Sequence, residues 1–223
     1  MYFSRITLNP TDPAGVMAAL KADDYALHQM LWKLFPGDPE ASRDFLFRHD
    51  EEQRWPVFYL VSQRQPDHHG DNLLLVASKP YQPQLRTGET LSFSLRANPV
   101  HTRKTDGANS KTRKRDDVVM HLKRQYKQAD ADAAPTQAEL AQEAGEQWLN
   151  RQAERHGFQV LSVRADNYRQ LRLDARKRNI RFSTLDFTGL LQVTETDAFA
   201  RALCKGIGPA KAFGCGLLLV RRM

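Results

Sequence analysis

The order of its hydrophobic patterns constrains this chain most, because strand and helix signals follow one another in two similar successive units. In the first unit, polar–apolar alternation or short β-rich runs predict four strands, at Tyr2–Leu8, Arg43–His49, Pro56–Gln63 and Asn72–Ser78. Helical sequence lies between the first two strands, and two prolines follow the fourth. We therefore expect a first domain over residues 1–85.

The second unit predicts a similar order. Strands are expected at Thr90–Arg96, Phe158–Val163, Ile180–Val193 and Leu217–Val220, and helices at about 136–156 and at Thr196–Lys205. The longer helix begins at a capping-box pattern, Thr136 to Glu139, and ends at Gly157. Two βαββαβ-like units predict an α+β protein with two tandem ferredoxin-like (RRM-like) domains, residues 1–85 and 86–223.

Charge is divided unevenly between these domains. The net charge is +7, but residues 1–85 carry 8 Lys or Arg against 11 Asp or Glu, whereas residues 86–223 carry 25 against 15. A strongly basic part predicts a polyanionic partner, although solvated surface charge is the simpler alternative. We therefore expect the second domain to bind nucleic acid.

Two basic segments carry this prediction. The polar stretch 98–117 is expected to be a loop that is mobile without ligand, and residues 164–181 are expected to form a hairpin with seven basic and two acidic residues. A basic β-ribbon can lie along a phosphate backbone, and an RNP1 motif is absent from the sequence, which disfavours RRM-type base stacking. The predicted RNA-binding side chains are Arg103, Lys104, Arg113, Arg164, Arg169, Arg172, Arg176 and Lys177.

A glycine-rich segment, residues 206–216, lies between the last predicted helix and strand. Its spacing fits neither a P-loop nor the Rossmann pattern. Glycines let a backbone approach a ligand, so consecutive N–H groups could point at phosphate, although a purely structural turn is an even alternative. The candidate RNA-binding residues here are Gly206, Gly208, Lys211, Gly214 and Gly216.

The first helix carries the candidate catalytic residues. Apolar residues between Leu27 and Leu34 form a core stripe, and helical geometry puts Tyr25 and His28 together on a flank away from it. A helical histidine is more often an ordinary surface residue. Its pairing with a phenol on a non-core flank favours an acid–base role.

Metal, cofactor and membrane functions find little support. Cys204 and Cys215 lack zinc-site spacing, and the His68–His69 pair near two aspartates is expected to be an exposed loop. No cofactor is therefore expected. Apolar runs are far shorter than the roughly 20 residues of a membrane span, and the first residues do not have a signal-peptide pattern, so cytoplasmic residence is expected.

Several motifs, in order along nearly the whole chain, resemble the CasE family, the CRISPR RNA endoribonucleases of type I-E systems in the RAMP superfamily. The motifs are Met1-Tyr-Phe-Ser-Arg5, Tyr25-x-x-His28-x-x-x-Trp32-x-Leu-Phe-Pro36, Asn98-Pro-Val100, Phe187-Thr-Gly-Leu-Leu-Gln-Val-Thr194 and the paired G-x-G motifs of residues 206–216. Their co-occurrence is more specific than any one of them.

The resemblance implies tandem ferredoxin-like domains and metal-independent cleavage of CRISPR precursor RNA at the base of a repeat stem-loop. It implies that His28 is the catalytic histidine, with Tyr25 as its companion. Some relatives have a basic residue after the histidine, where this chain has Gln29, so Lys33 or Lys211 is expected to supply that charge. The implied partners are the repeat hairpin, the mature guide RNA and the other subunits of the type I-E surveillance complex.

The chemistry is compatible with these residue types. RNA supplies its own 2′-hydroxyl nucleophile, so the enzyme aligns the attack, moves protons and neutralises phosphoryl charge. The products would be a 2′,3′-cyclic phosphate and a 5′-hydroxyl. A non-catalytic RAMP subunit that only holds guide RNA is the alternative, and a general RNA-binding protein of the translation apparatus is a more distant one.

Overall fold

Two four-stranded antiparallel sheets, built from successive parts of the chain, form the framework. The computed structural model describes residues 1–22, 24–37, 44–50, 56–67, 73–104, 113–128, 135–175 and 178–223. For residues 24, 25, 103, 104, 113, 114, 173–175, 178 and 179 it describes the backbone alone.

The first unit consists of β1 (Tyr2–Leu8), α1 (Pro13–Leu20), α2 (Asp24–Trp32), β2 (Phe45–Asp50), β3 (Val57–Ser62) and β4 (Leu74–Pro80). Its sheet has the strand order β2-β3-β1-β4, with every neighbouring pair antiparallel. This is the split βαβ arrangement of a ferredoxin-like fold. No second helix lies between β3 and β4 within the described residues.

The second unit consists of β5 (Thr90–Ala97), β6 (Val100–Lys104), β7 (Arg113–Asp117), α3 (Val118–Gln128), α4 (Gln137–His156), β8 (Phe158–Ala175), β9 (Arg178–Val193), α5 (Thr196–Lys205), a 3₁₀ helix (Lys211–Phe213) and β10 (Leu218–Arg222). Its four-stranded sheet repeats the topology of the first, in the order β10-β5-β9-β8. The predicted class of two tandem ferredoxin-like folds is confirmed. The division at residues 85 and 86 stays a prediction.

Local signals set the ends of α4 as predicted. The Thr136 hydroxyl accepts a hydrogen bond from the Glu139 N–H, and the Glu139 carboxylate accepts one from the Thr136 N–H at 2.7 Å, which completes the capping box. Gly157 ends the helix in the left-handed conformation, at φ 70°. The helix packs Leu140, Leu149 and further apolar residues against the second sheet.

The prediction that residues 98–117 form a mobile loop is partly wrong. Its two ends pair as an antiparallel ribbon, β6 with β7, and residues 105–112 lie outside the described part. Helix α3 follows directly and was not predicted. The Asp117 carboxylate accepts hydrogen bonds from the N–H groups of Val119 and Met120 and so caps it. Val118 and Val119 are buried against the second core.

The two units also share a small apolar cluster. Each sheet buries helices on one face, and Leu46 and Val61 project from the opposite face of the first sheet to pack with Leu217. Arg48 extends the contact, since its guanidinium donates to the Ser94 hydroxyl at 2.7 Å. The structure has no helix long and apolar enough to span a membrane, as far as its described residues go.

An almost buried ion pair joins β5 to β9. Arg96 donates to both carboxylate oxygens of Asp186, at 2.8 and 3.0 Å, and the two side chains are 16% and 11% exposed. Asp166 lies opposite Asp186 in register, and its pair with Arg164 is more exposed, at 37% and 78%. Burial therefore distinguishes two otherwise similar pairs.

We expect Asp186→Ala to lower the free energy of unfolding by on the order of 3 kcal/mol, because it removes the carboxylate that compensates the nearly buried Arg96 charge. The matched change Asp166→Ala should cost less than about 1 kcal/mol, since water screens that pair. Urea unfolding of both variants measures the difference, and equal losses would contradict the assigned role of burial.

Candidate functional site

His28 lies on α2 and is half-buried against three aromatic rings. Its ring centroid lies 5.5 Å from that of Phe45 and 5.8 Å from that of Phe47, both nearly parallel, and 5.7 Å from that of Trp32, edge-on. The two phenylalanines alternate along β2 and so lie on the same face of the sheet. The expectation that His28 faces outward is therefore wrong in part, because β2 extends its apolar surface beneath the histidine.

The glycine-rich loop of the second unit reaches this same place. Its 3₁₀ helix, Lys211–Phe213, lies against α2 and β2. A Cβ added to Gly214 would lie 3.4 Å from Phe47 Cε2 and 3.9 Å from the His49 nitrogen. Because Phe47 also stacks on His28, the loop and the histidine share one side chain as a neighbour.

The backbone of this loop closes on itself. The Ile207 N–H donates to the Gly216 carbonyl at 2.9 Å, and the Gly216 N–H donates to the Arg96 carbonyl at 2.7 Å. The Gly206 N–H donates to the Ala202 carbonyl at 2.8 Å and ends α5. The expectation that loop amides point at phosphate is therefore wrong for Gly206 and Gly216, whose N–H groups already donate to carbonyls of α5 and β5.

The candidate lysines differ in their surroundings. Lys33 follows the end of α2 and is exposed. The Lys211 ammonium donates to the Lys205 carbonyl at 2.6 Å, so it reaches back to the end of α5. Burial lowers the pKa of His156 at the end of α4, and the positive charges of Lys211 and Arg155 add to that effect. The Tyr25 side chain lies outside the described part.

The predicted basic hairpin exists and is longer than its strand signals suggested, since β8 and β9 pair from Phe158–Val193 to Ala175–Arg178. The side chains of Arg164, Arg169 and Arg172 are exposed on it. Arg176 and Lys177, at its tip, lie outside the described residues, as do the side chains of Arg103, Lys104 and Arg113 on the β6–β7 ribbon.

Hairpin, ribbon and glycine-rich loop enclose a common cavity of about 520 Å³. Arg115 from the ribbon and Arg172 and Arg181 from the hairpin line it. Phe182 of the hairpin stacks on Phe213 of the loop, with ring centroids 5.0 Å apart, and both also form its wall. Sequence reasoning treated these segments separately, and the signal it missed is the apolar pair that joins them.

No group of three or more metal-ligating side chains occurs in the described ranges. The chemistry that these side chains offer is acid–base help from His28, with lysine and arginine charge nearby. An arrangement of this kind suits transfer reactions of a substrate that brings its own nucleophile and negative charge.

Known proteins match this chain over nearly its full length. The model of a family described as CRISPR associated protein matches residues 1–222. The CRISPR system Cascade subunit CasE of Escherichia coli is 31% identical over 220 residues, which is 98% of each chain. The CRISPR-associated endoribonuclease Cse3 of Thermus thermophilus is 26% identical over 238 residues, 99% of each.

Solved structures of such proteins have the same fold as this chain. Thermus thermophilus Cse3, bound to an RNA representing a pre-cleavage complex, superimposes with a TM-score of 0.68 at 26% identity, covering 99% of this chain and 98% of that one. The CRISPR-associated protein Cas6e of Escherichia coli gives 0.67 at 27% identity, with both chains fully covered. The fold and sequence thus define a CRISPR-associated protein. More narrowly, the chain belongs to the CasE family of type I-E systems.

The close approach of the loop to β2 makes a test possible. A Cβ at Gly206, where φ is 74°, would lie 2.8 Å from the Gly216 carbonyl oxygen and 2.9 Å from Leu46 Cδ1. Gly88 has a similar φ of 84°, but a Cβ there would meet nothing within 4 Å. Both glycines have a positive φ, but Gly206, at ψ 163°, lies in a backbone region that is essentially restricted to glycine, and its neighbours are also closer.

We expect Gly88→Ala to cost about 1–2 kcal/mol of unfolding free energy through left-handed backbone strain alone. Gly206→Ala should cost at least about 1 kcal/mol more, because the added methyl group overpacks the junction and the backbone at ψ 163° disfavours alanine. Chemical denaturation of the two variants measures this, and a Gly206→Ala loss no larger than that of Gly88→Ala would show that the loop does not press on Leu46.

Proposed function

We propose that this chain is a metal-independent endoribonuclease that binds the stem-loop of CRISPR repeats in precursor RNA and cleaves at the base of the stem. The observation that carries the proposal is the position of His28, which lies where the first unit meets the glycine-rich loop of the basic second unit. A substrate gripped by the second unit would thereby reach an acid–base group of the first.

The reaction needs no external nucleophile. The 2′-hydroxyl of the nucleotide before the cut loses its proton as its oxygen forms a bond to phosphorus. The bond from phosphorus to the 5′-oxygen breaks, and that oxygen takes up a proton, so no proton is consumed overall. The products are a 2′,3′-cyclic phosphate and a 5′-hydroxyl. We assign one of the two proton transfers to His28, because an imidazole can give or accept a proton at neutral pH.

The remaining roles follow from charge and position. We assign Tyr25, one helical turn before His28, to positioning the proton or the hydroxyl, and Lys33 or Lys211 to meeting the charge on the phosphoryl oxygens. The hairpin arginines hold the stem, whereas Arg103, Lys104 and Arg113 of the ribbon hold the strand near the cut. The glycine-rich loop positions the strand near the cut through its shape, with Gly206 closest to a neighbouring side chain and Gly208 and Gly214 next to Trp148 and Phe47.

We also propose that the protein keeps its product. The relative in Escherichia coli is named a Cascade subunit. After cleavage, this chain would stay on the mature guide RNA and join the other subunits of the type I-E surveillance complex. Its place of action is then the cytoplasm, where the precursor RNA of a prokaryote is transcribed.

Replacement of His28 by alanine tests the chemistry. We expect the single-turnover cleavage rate of a prefolded repeat hairpin to fall by about 10²- to 10⁴-fold, the usual value of general acid–base help, while the Kd for RNA stays within about twofold. His121→Ala, on α3 of the second unit, is the control and should cleave at the wild-type rate.

The assay is run in EDTA, and the 3′ end of the product is examined for a cyclic phosphate. A hairpin with 2′-deoxyribose before the cut should bind and remain whole. Dependence of the cleavage step on Mg²⁺ would contradict the metal-free mechanism. Binding without any cleavage by the wild-type protein would instead assign the chain to the non-catalytic RAMP scaffolds.

A second prediction concerns the hairpin. Arg169→Ala and Arg172→Ala should each weaken binding and reduce the slope of log K against log salt by about 0.7 to 1, since each phosphate contact releases roughly one counterion. The control is Arg151→Ala, an exposed arginine on α4. Filter binding at several salt concentrations measures the slopes. Unchanged slopes for both hairpin variants would show that the RNA stem does not bind this surface.

A further inference from the structure

An exposed arginine of the first unit, Arg64, contacts two segments that belong to the His28 site. Arg64 follows β3, and its side chain is 43% exposed. Its Nε donates to Asp44 Oδ2 at 2.7 Å and its Nη2 to Asp44 Oδ1 at 3.3 Å, so it binds both carboxylate oxygens. Its Nη1 donates to the Pro36 carbonyl at 3.2 Å. Asp44 directly precedes β2, and Pro36 follows the end of α2, so one guanidinium connects the strand with the helix.

The backbone around Arg64 is itself held in place. The hydroxyl of Ser62, a buried residue, donates to the Arg64 carbonyl at 2.6 Å. The Asp67 N–H donates to the Leu34 carbonyl at 2.8 Å and so adds a second hydrogen bond to the turn after α2. A planar guanidinium is preorganised for a carboxylate and loses little freedom when it binds one. The segment 62–67 therefore holds the end of α2 through both backbone and side chain.

A continuous stack of flat groups leads from Arg64 to His28. The Arg64 guanidinium carbon lies 5.4 Å from the centroid of the Phe35 ring. The Phe35 centroid lies 4.9 Å from that of Phe45, at an interplanar angle of 18°, and the Phe45 centroid lies 5.5 Å from that of His28, at 30°. Phe35 and Phe45 are 5% and 3% exposed. Close-packed interiors transmit strain, so a shift at one end of the stack is felt at the other.

We infer that Arg64 is a positioning residue for RNA cleavage, because it ties the helix that carries His28 to the strand that supports its ring. Asp44 directly precedes Phe45, so the Arg64–Asp44 pair fixes the start of β2 at the ring on which His28 stacks. The inference rests on the proposed function, in which a misplacement of His28 by about 1 Å would slow the reaction strongly. Arg64 has no contact with the reacting atoms in this assignment.

Position, rather than charge, is the property that Arg64 supplies. Two phenylalanine rings separate its guanidinium from the His28 ring. Water screens an exposed charge, and the Asp44 carboxylate compensates it at 2.7 Å. Loss of Arg64 should therefore slow cleavage by the same factor at every pH, and the shape of the pH–rate profile should not change.

Three variants test this role. Arg64→Met keeps an unbranched apolar side chain and removes the hydrogen bonds of the guanidinium. Asp44→Asn removes the ionic partner and leaves Arg64 in place. Arg222→Met is the matched control from the second unit, since Arg222 Nε donates to Glu89 Oε1 at 2.8 Å and its Nη2 to the Gln84 carbonyl at 2.6 Å. The control thus removes the same kinds of contact at a place without a link to His28.

Single-turnover cleavage of a repeat hairpin is measured with the protein in saturating excess, at a temperature below the lowest Tm of the set. Arg64→Met should cleave about tenfold more slowly than the wild type, and Asp44→Asn should be slowed as well. Both should keep the wild-type Kd, salt slope and pH–rate profile. Arg222→Met should cleave at the wild-type rate. Lower stability alone does not slow a folded and saturated enzyme, so the rate separates positioning from a purely structural role.

Three results overturn the inference. Wild-type rates for both Arg64→Met and Asp44→Asn would show that these contacts only stabilise the fold. A weaker Kd and a smaller salt slope for Arg64→Met, with Asp44→Asn at the wild-type rate, would show that Arg64 contacts an RNA phosphate directly. Equal slowing by Arg222→Met would show a general effect of losing such a pair. If Arg64→Met does not fold, Asp44→Asn gives the same decision, because it changes a single atom of the carboxylate.

These failures are distinguishable from a failure of the proposed function. Cleavage by the wild-type protein that is lost in His28→Ala leaves the endoribonuclease in place, whatever the Arg64 variants do. Absence of cleavage by the wild-type protein would remove both the function and the role of Arg64.

Discussion

The contact on which the rest of the structure depends is the approach of the glycine-rich loop to β2. A side chain at position 206 would overlap Leu46 and the carbonyl of Gly216, so glycine there lets the second unit press directly on the first. The apolar cluster of Leu46, Val61 and Leu217 lies beside this contact and removes the junction from water. Small residues in the loop thus determine how closely the two sheets meet.

This closeness explains why the site needs both units. The acidic first unit supplies His28 and the aromatic residues that contact it, whereas the arginines that attract a polyanion belong to the second unit. The proposed proton-transfer group and the proposed phosphate-binding arginines therefore belong to different units. A shift of the loop by even 1 Å would change the alignment of an in-line attack, which is where catalysis by positioning is most sensitive.

Features encoded by neighbouring residues could be predicted from the sequence, and features made by distant contacts could not. The capping box at Thr136 and Glu139 and the glycine stop at Gly157 are local patterns, and the structure has both. Helix α3 was missed because its buried residues, Val118 and Val119, are followed by mostly charged and polar ones, while the Asp117 cap gives only a one-residue signal. The half-burial of His28 depends on β2, about 17 residues further along, and is invisible in the helix pattern alone.

The lining of the 520 Å³ cavity also could not be predicted from the sequence, because its residues are distant along the chain. Asn98 lies in a motif that the sequence already singled out, whereas Ser183 is one serine in a strand, and only folding puts both in one wall. Arg115, Arg172 and Arg181 lie around this one space, so their charges repel one another in the free protein. A polyanion that binds here relieves this repulsion, and its binding then stabilises the fold by mass action. The charge repulsion that the free protein bears is thus the same feature that favours a polyanionic ligand.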